Sequence, residues 1–297
     1  MLHGEEFRVN DTNAIGVIIA TEAMPAQALS ECARRLEQQG YESLWLPELF
    51  GREPVATAGF LLAQTEHLRV ATGIANVYVR DAHSMMQTRR TLAELSGGRF
   101  ILGLGVSNPG LNATRGHEWQ QPLPKMRSYL DAMDAAAIDS PAPVQAAPLH
   151  IAAHGPKLQV LGAERTDGVI TYLMPPEHTA SSRSHIGPDT ELTVVSPFLA
   201  EVDPVLARKK ARKALQYYIT LDYYHREWTK LGFSADDFAD GGSDRLIDTL
   251  VGWGDEDALL ERLAAYRAAG ASRVVIMPWD TARTDGADTL SVLAPNR

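Results

Sequence analysis

The sequence predicts a (β/α)8 barrel, or TIM barrel, of the α/β class, and three observations lead to that prediction. Eight short apolar runs have the length of strands, and helical patterns separate them. In addition, Pro, Gly and Ser nowhere cluster into a linker that would divide the 297 residues. We therefore expect a single domain over residues 1–297, with an inserted helical segment after the seventh strand.

Each predicted strand is a mostly apolar run that glycine, proline or polar residues bound. Short runs without polar alternation are typical of parallel strands whose two faces are both buried. The eight predicted strands cover residues 15–19, 43–46, 68–72, 100–104, 149–152, 168–172, 191–196 and 274–277.

Helices are predicted between these strands where apolar residues recur at helical spacing or where proline marks a helix start. The first helix opens at Pro25 and ends at Gly40, since glycine accepts the left-handed conformation of a helix end. The other predicted helices cover residues 54–64, 82–95, 124–137, a segment from 156, 176–184, 204–230, 246–251 and 256–269.

The loop from Gly105 to Gly110 is the first candidate for a binding site. It follows the apolar strand at residues 100–104, and it is rich in glycine and polar residues. Barrels of this class carry their sites at the C-terminal ends of the strands. The sequence therefore predicts a flexible loop against which a ligand lies.

Composition limits the classes of function. The formal net charge of -9 argues against a nucleic-acid-binding surface, and no apolar run approaches the roughly 18 residues of a membrane helix. The only cysteine, Cys32, fits a reducing compartment, and residues 1–8 lack the apolar segment of a signal peptide. We expect a cytoplasmic protein with a small-molecule substrate, no membrane partner and no nucleic-acid partner.

Three other features leave alternatives open. His117 lies in a long loop after the fourth strand, where it is either a titratable group near the mouth or an exposed loop histidine. The aromatic stretch 217–228 has helical spacing, which is typical of packing, or it forms a lid over a planar ring. The basic run 208–213 is either a solvated helix face or a site for an anionic ligand tail.

No metal site is expected. His150 and His154 have the spacing of a helical metal pair, but the context is a strand. Four residues of strand span about 13 Å, which is too far for two ligands of one ion.

Several motifs together resemble the bacterial luciferase-like family, in particular its coenzyme F420-dependent oxidoreductases. The matching segments are GYESLWLPE at 40–48, VATGIAN at 70–76, LAELSGGRFILGLG at 92–105 and IAAHGPK at 151–157. The segment 255–277 resembles the closing helix and strand of the family. The resemblance covers almost the whole chain, and it implies a homodimeric barrel with a flavin or deazaflavin across its C-terminal mouth.

The resemblance assigns one group of residues to the cofactor ring. Glu48 would face the pyrimidine edge, where a carboxylate accepts hydrogen bonds from ring N–H groups. Thr72, Gly73 and Ile74 match a family segment that often carries a non-proline cis peptide and a bulge beneath the ring.

A second group is assigned to the cofactor phosphate. Ala153, His154 and Gly155 match the loop where the family binds phosphate through backbone N–H groups. Pro156 would open the following helix and leave free donors for an anion. Tyr172 and its loop would close the other side of this site.

The sequence also departs from the family's sugar-phosphate dehydrogenases. Leu49 stands where those enzymes have a histidine, and Asn108 stands where they have a glutamate proton donor. Asparagine hydrogen-bonds a substrate oxygen but is no general acid, so sugar-phosphate dehydrogenation is disfavoured. Asn108 and His117 are the catalytic candidates, and the proton donor is His117, a tyrosine or water.

The hypothesis favoured by these features is hydride transfer between F420 and a small organic substrate. Two alternatives remain: an FMN-dependent luciferase-like monooxygenase, and a cofactor-binding protein without turnover.

Overall fold

Eight parallel strands close into a barrel in the computed structural model, which describes residues 14–280 and 287–296. Strand β1 (Ile15–Ile18) pairs with β2 (Ser43–Leu46) on one side and with β10 (Arg273–Pro278) on the other. Because β10 also pairs with β8 (Glu191–Ala200), the ring is complete. The predicted barrel is thereby confirmed, whereas residues 1–8, considered above, lie outside the described residues. The barrel strands are β1 (Ile15–Ile18), β2 (Ser43–Leu46), β3 (Arg69–Thr72), β5 (Phe100–Gly105), β6 (Leu149–Ala152), β7 (Gly168–Tyr172), β8 (Glu191–Ala200) and β10 (Arg273–Pro278).

Helices surround the barrel and connect its strands. Their starts follow the predicted chemistry, since proline occupies the first turn of several helices and acidic or polar side chains cap others. The helices are α1 (Ala26–Gln38), α2 (Pro54–Leu62), α3 (Ala82–Ser96), α4 (Pro109–Thr114), α5 (Pro122–Asp134), α6 (Pro156–Arg165), α7 (Pro176–Ile186), α8 (Pro204–Leu215), α9 (Asp222–Lys230), α10 (Ala235–Phe238), α11 (Asp244–Leu250), α12 (Glu256–Ala268) and α13 (Ala287–Val292).

Several elements differ from the predicted pattern: α8 and α9 replace the single helix predicted at residues 204–230, and α10 and α13 were not predicted. The loop predicted at residues 105–110 is partly helical, because α4 begins at Pro109 with the Asn108 side chain as its cap. Two short strands extend the barrel edge: β4 (Ala75–Asn76) pairs with β5, and β9 (Gly252–Gly254) pairs with β8. Such short pieces carry no sequence period, so the apolar pattern did not reveal them.

The inserted segment after β8 consists of α8 to α11, and two 3-10 turns, Tyr218–Thr220 and Ala239–Gly241, interrupt it. Ion pairs neutralise much of its basic run: Arg208 binds Asp248, and Lys210 binds Glu201 at 2.7 Å. These contacts favour the interpretation of the run as a solvated helix face.

Apolar side chains form two layers. One cluster fills the space between the strands and the surrounding helices. The second cluster lines the barrel interior, where it contains Trp45, Ile170 and Val275. It continues to the buried side of the inserted segment, where it contains Trp228 of α9. The two layers explain why the strands lack polar alternation.

A charged network closes the N-terminal end of the barrel. The Arg273 guanidinium donates to both oxygens of Glu42, at 2.9 and 3.0 Å, and also binds Glu191. Burial favours the protonated form of Glu191, but His150, whose Nε2 is 3.5 Å from its carboxylate, and the charge of Arg273 outweigh burial and lower the pKa of Glu191 to about 2. Chemistry at the opposite end is therefore separated from this network by the apolar interior.

Across the described ranges, no helix has both the length and the apolar character needed to cross a membrane.

Candidate active site

At the C-terminal mouth of the barrel, the backbone pairing between β3 and β5 is interrupted after Ala71. Thr72 replaces the missing backbone pairing, because its hydroxyl donates to Gly103 O at 2.7 Å and accepts from Gly103 N at 2.9 Å. The Gly73–Ile74 peptide bond is cis, as the resemblance implied, and pairing with β5 resumes at Ala75. The chain therefore bulges at residues 73–74, and the buried Thr72 hydroxyl joins the two strands.

This bulge places Ile74 over the end of β5. A Cβ atom added to Gly105 would lie 2.6 Å from Ile74 Cγ1 and 3.4 Å from the Cβ of Ala152. Glycine at position 105 thus allows Ile74 to approach β5 and β6. Ile74 and Ala152 are partly buried against the interior cluster, so they give the mouth an apolar floor.

Glu48 follows β2 and is buried within a set of hydrogen bonds. Its carboxylate accepts from Arg80 at 2.9 and 3.1 Å and from the backbone N–H of Asn76 at 2.7 Å. Arg115 approaches the same carboxylate at 3.7 Å. Groups of the protein therefore already donate hydrogen bonds to both oxygens of Glu48. A cofactor ring N–H would have to share these oxygens with Arg80 and Asn76.

The polar network around Glu48 contains residues that the sequence analysis did not identify. Asn76 donates to Asn112 at 2.8 Å, and Asn112 in turn donates to the carbonyl of Val106 at 2.8 Å. Both asparagines are fully buried. No sequence pattern joins Arg80 to Glu48, because 32 residues separate them and only the closed barrel brings them together.

Asn108, the first catalytic candidate, uses both ends of its amide within the protein. Its Oδ1 accepts from the backbone of Leu111 at 2.9 Å, and its Nδ2 donates to the hydroxyl of Tyr217 at 3.1 Å. The side chain is 6% exposed. This geometry favours a structural role, in which Asn108 caps α4 and joins it to the inserted segment.

His117, the second catalytic candidate, lies beside Tyr78. The two ring centroids are 5.9 Å apart, and Trp119 stacks on the same tyrosine at 6.0 Å. Tyr78 follows β4, whereas Tyr172 ends β7, and β5 and β6 lie between these elements in the barrel. The ring contacts thus place His117 against Tyr78 and Tyr172 against Tyr218.

Ala153, His154 and Gly155 connect β6 to α6. Gly155 is the N-cap residue of α6. Among the described residues, no side chain caps this helix start, and a Cβ atom on Gly155 would meet open space. Lys157 is exposed in the first turn. Backbone N–H groups at such a helix start favour an anion. The segment therefore fits a phosphate group.

The His154 ring is turned toward the inserted segment. It lies 5.6 Å from the ring of Tyr224 and 6.1 Å from the ring of His178. Its Nδ1 is buried and has no hydrogen-bond partner among the described residues. Burial, helped by His178 and Lys230, lowers the pKa of His154 to about 3. His154 is therefore a neutral ring at physiological pH.

Tyr172 closes the mouth from the side of β7. Its hydroxyl lies 2.7 Å from the hydroxyl of Tyr218 and 2.9 Å from Met277 Sδ. The stretch 217–228, for which packing and a lid were both considered, packs on β7, since Trp228 donates to the carbonyl of Leu173 at 3.3 Å. The stretch also places Tyr218 beside Tyr172, and a lid over a planar ring stays a prediction.

This mouth, with an apolar floor, an uncapped helix start and a wall of tyrosines, has the parts that hold a planar ring with an anionic tail. The family model of the luciferase-like monooxygenases matches residues 6–273. The chain therefore belongs to the luciferase-like monooxygenase family, which confirms the resemblance found in the sequence.

Two curated relatives are more specific. The chain is 31% identical to the 5,10-methylenetetrahydromethanopterin reductase of Methanolobus tindarius over 163 residues, which are 49% of this chain and 50% of that protein. The chain thus spans about half the length of that relative. It is 24% identical to a Mycobacterium tuberculosis protein provisionally named a coenzyme F420-dependent oxidoreductase, over 86% of this chain and 91% of that protein.

The fold is also similar to that of a solved F420-dependent secondary alcohol dehydrogenase in complex with an F420-acetone adduct. The TM-score is 0.74 at 17% sequence identity, with 95% of this chain and 98% of that chain covered. At this identity, the similarity supports the fold alone.

Proposed function

We propose that the protein is an F420-dependent oxidoreductase that transfers a hydride between the deazaflavin and a small organic substrate. The observation that carries this proposal is the apolar floor of the mouth, formed by Ile74 and Ala152, next to the uncapped start of α6 at Gly155. The names of the two curated relatives support F420 as the cofactor.

The residues of the mouth fit a deazaflavin in two respects. Ile74 and Ala152 offer apolar contact to a planar ring, and the backbone at Gly155 offers donors to a phosphate with room beside it. When bound, F420 supplies or accepts a hydride at C5. The protein's own contribution is to orient the ring, to exclude water from its face and to align the substrate carbon with it.

Glu48 has an indirect role in this proposal. Its carboxylate holds Arg80 and the backbone of Asn76, so it fixes the loop that follows β4. Thr72 likewise joins β3 to β5 beneath the bulge. Both residues then shape the mouth, and any direct contact of Glu48 with the ring stays a prediction from the resemblance.

The test is a titration of the purified protein with F420 and, separately, with FMN, followed by fluorescence quenching. We expect low-micromolar binding of F420 and much weaker binding of FMN. Ile74→Asp should weaken F420 binding at least tenfold, because it puts a charge on the apolar floor. The matched control is Leu95→Asp, on an exposed side chain of α3, and it should leave binding unchanged.

The opposite preference would move the assignment to an FMN-dependent monooxygenase. Binding of neither cofactor would remove the cofactor assignment and leave only the fold. If F420 binds but its reduced form reduces no member of a panel of ketones, imines and activated alkenes, the cofactor-binding protein without turnover becomes the favoured alternative. A cytoplasmic location and a homodimer remain predictions, which cell fractionation and light scattering can test.

A further inference from the structure

The Tyr172 hydroxyl lies at the mouth between a second hydroxyl and a thioether sulfur. It is within hydrogen-bond distance of two groups, the Tyr218 hydroxyl at 2.7 Å and Met277 Sδ at 2.9 Å. Tyr172 and Tyr218 are partly exposed, and both belong to the side chains packed against the apolar interior cluster. The pair therefore presents hydroxyl groups at the edge of an apolar site.

Each hydroxyl has one proton, which limits how the three groups connect. If Tyr172 donates to Met277 Sδ, then Tyr218 donates to the Tyr172 oxygen. A thioether is a weak acceptor, so the Tyr172 proton has a poor partner in this arrangement. A substrate oxygen that replaced the sulfur would gain a stronger hydrogen bond at little cost to the protein.

The surroundings keep both phenols protonated. Burial and the neighbouring tyrosines raise the pKa of Tyr172 well above its ordinary value, and burial raises the pKa of Tyr218. Tyr224, whose ring is 6.0 Å from that of Tyr218, adds to the apolar wall. At neutral pH, Tyr172 is therefore a hydrogen-bond donor and not a phenolate.

Three other polar candidates of the site contact other groups. Asn108 uses both ends of its amide, and His117 lies beside Tyr78. Glu48 is bound by Arg80 and by the backbone of Asn76. The Tyr172 hydroxyl differs from these three groups, because the partner of its proton is a weak acceptor.

We propose that the Tyr172 hydroxyl binds the oxygen of a small apolar ketone or aldehyde and donates the proton in its reduction, with Tyr218 as the positioning residue behind it. This inference rests on the proposed function, which supplies reduced F420 as the hydride donor. Tyr172 is then a catalytic residue.

Transfer of a hydride and a proton converts the carbonyl compound to the alcohol. The carbonyl carbon accepts a hydride, with its two electrons, from the reduced deazaflavin, which is oxidised. The π electron pair of the C=O bond moves to oxygen, and the Tyr172 O–H proton passes to that oxygen to give the alcohol. The Tyr218 hydroxyl stabilises the resulting tyrosinate by a hydrogen bond until a solvent proton restores it.

The experiment uses 4-nitrophenolate as a probe, because it is a planar apolar ring that carries an oxyanion. Binding is followed by the absorbance of the anion, without cofactor. We expect Tyr172→Phe to weaken binding about 10- to 100-fold, the range for a hydrogen bond to a charged group. Tyr41→Phe is the matched control, since Tyr41 precedes β2 at the opposite end of the barrel and its hydroxyl donates to the carbonyl of Leu290 at 2.6 Å. It should change binding less than threefold.

Tyr218→Phe tests the positioning role through a pH profile. Loss of its hydrogen bond to Tyr172 should raise the apparent pKa of bound 4-nitrophenol, to a value between those of the wild type and Tyr172→Phe. Met277→Leu keeps the apolar contact and removes the weak acceptor, so it should bind the probe as tightly as the wild type or more tightly. This variant decides the question should Tyr172→Phe fail to fold, since a tenfold loss would overturn the proposal.

The proposal is overturned if the wild type does not bind 4-nitrophenolate or if Tyr172→Phe binds it equally well. Because the probe needs no cofactor, the two proposals fail separately. Binding of F420 without Tyr172-dependent probe binding overturns the role of Tyr172 alone. Tyr172-dependent probe binding without F420 binding overturns the proposed function and, with it, the reduction step.

Discussion

The Arg80 guanidinium donates two hydrogen bonds to the Glu48 carboxylate, from Nη1 to Oε2 at 2.9 Å and from Nη2 to Oε1 at 3.1 Å. The Glu48 side chain is 4% exposed and that of Arg80 is 15% exposed. Arg80 also binds Glu53, the capping residue of α2. This pair therefore joins the loops after β2 and β4 at the mouth.

Removal of one member of this pair should be strongly destabilising. Arg80→Met leaves the buried Glu48 carboxylate without its main partner, so we expect the free energy of unfolding to fall by about 3 kcal/mol. Urea denaturation at pH 7 measures this loss. In the double variant Arg80→Met/Glu48→Met, part of the loss should be recovered, because no uncompensated charge remains.

Arg165→Met is the matched control for this prediction. Arg165 binds Asp131 and Asp134, whose side chains are 58% and 69% exposed, so the loss should be at most about 1 kcal/mol. An equal loss at the two arginines would contradict the importance of burial.

Gly103 and Gly155 should respond very differently to alanine. A Cβ atom on Gly103 would lie 2.1 Å from the carbonyl oxygen of Thr72, a backbone atom that cannot yield without moving β3, whereas one on Gly155 meets open space. We expect Gly103→Ala to reduce the free energy of unfolding by more than about 3 kcal/mol, or to prevent folding, and Gly155→Ala by less than about 1 kcal/mol. Thermal denaturation of the two variants makes the comparison, and similar melting temperatures would speak against the close approach of β3 and β5.

His154 should make stability depend on pH below neutrality. Its pKa of about 3 in the folded protein lies below the ordinary value of 6.5. Between these two pH values, His154 is protonated in the unfolded chain and neutral in the folded protein. The contribution to stability is complete above pH 6.5 and is lost as the pH falls from there toward 3. The wild type should lose about 1 kcal/mol per pH unit over this range from this residue.

The measurement compares urea denaturation of the wild type and of His154→Phe at pH 7.5 and pH 5.5. The loss of stability between the two pH values should be about 1 kcal/mol smaller in the variant. A histidine proton resonance that titrates near pH 6.5 in the folded protein and disappears in His154→Phe would refute the prediction.

Asn108 offers a test of its capping role against a catalytic one. Asn108→Ala removes the cap of α4 and the hydrogen bond to Tyr217, and should cost about 1–2 kcal/mol of unfolding free energy. Asn108→Asp keeps an acceptor for the Leu111 N–H, so most of that stability should remain. A catalytic role would instead appear as an equal loss of kcat in both variants at unchanged stability.

Much of the fold could be predicted because each barrel strand is a run of consecutive, mostly apolar residues. The run at residues 149–152 and the run at 168–172 coincide with β6 and β7. The helix that begins at Pro156 follows from the fixed backbone angle of proline. By contrast, β4 and β9 are too short to carry a period, and α4 depends on a side-chain cap.

The site was predictable only in part. The bulge at residues 72–74 was predicted through a motif, since it is local in the chain. The phosphate site at residues 153–155 was also predicted through a motif, and it stays a prediction. The partners of Glu48 and Asn108 could not be found in this way, because Arg80 and Tyr217 reach them only when the barrel closes and the inserted segment folds over it.

The sequence by itself determined the order of strands and helices, the barrel class and the loops that face the mouth, because those properties depend on apolar period and on local backbone preferences. The tertiary structure alone decided which side chains meet there. It engaged Asn108 in capping, placed His117 beside Tyr78 and brought Tyr172 against Tyr218 and Met277. Such encounters join residues far apart in the chain, and their geometry depends on how strands and inserted helices pack.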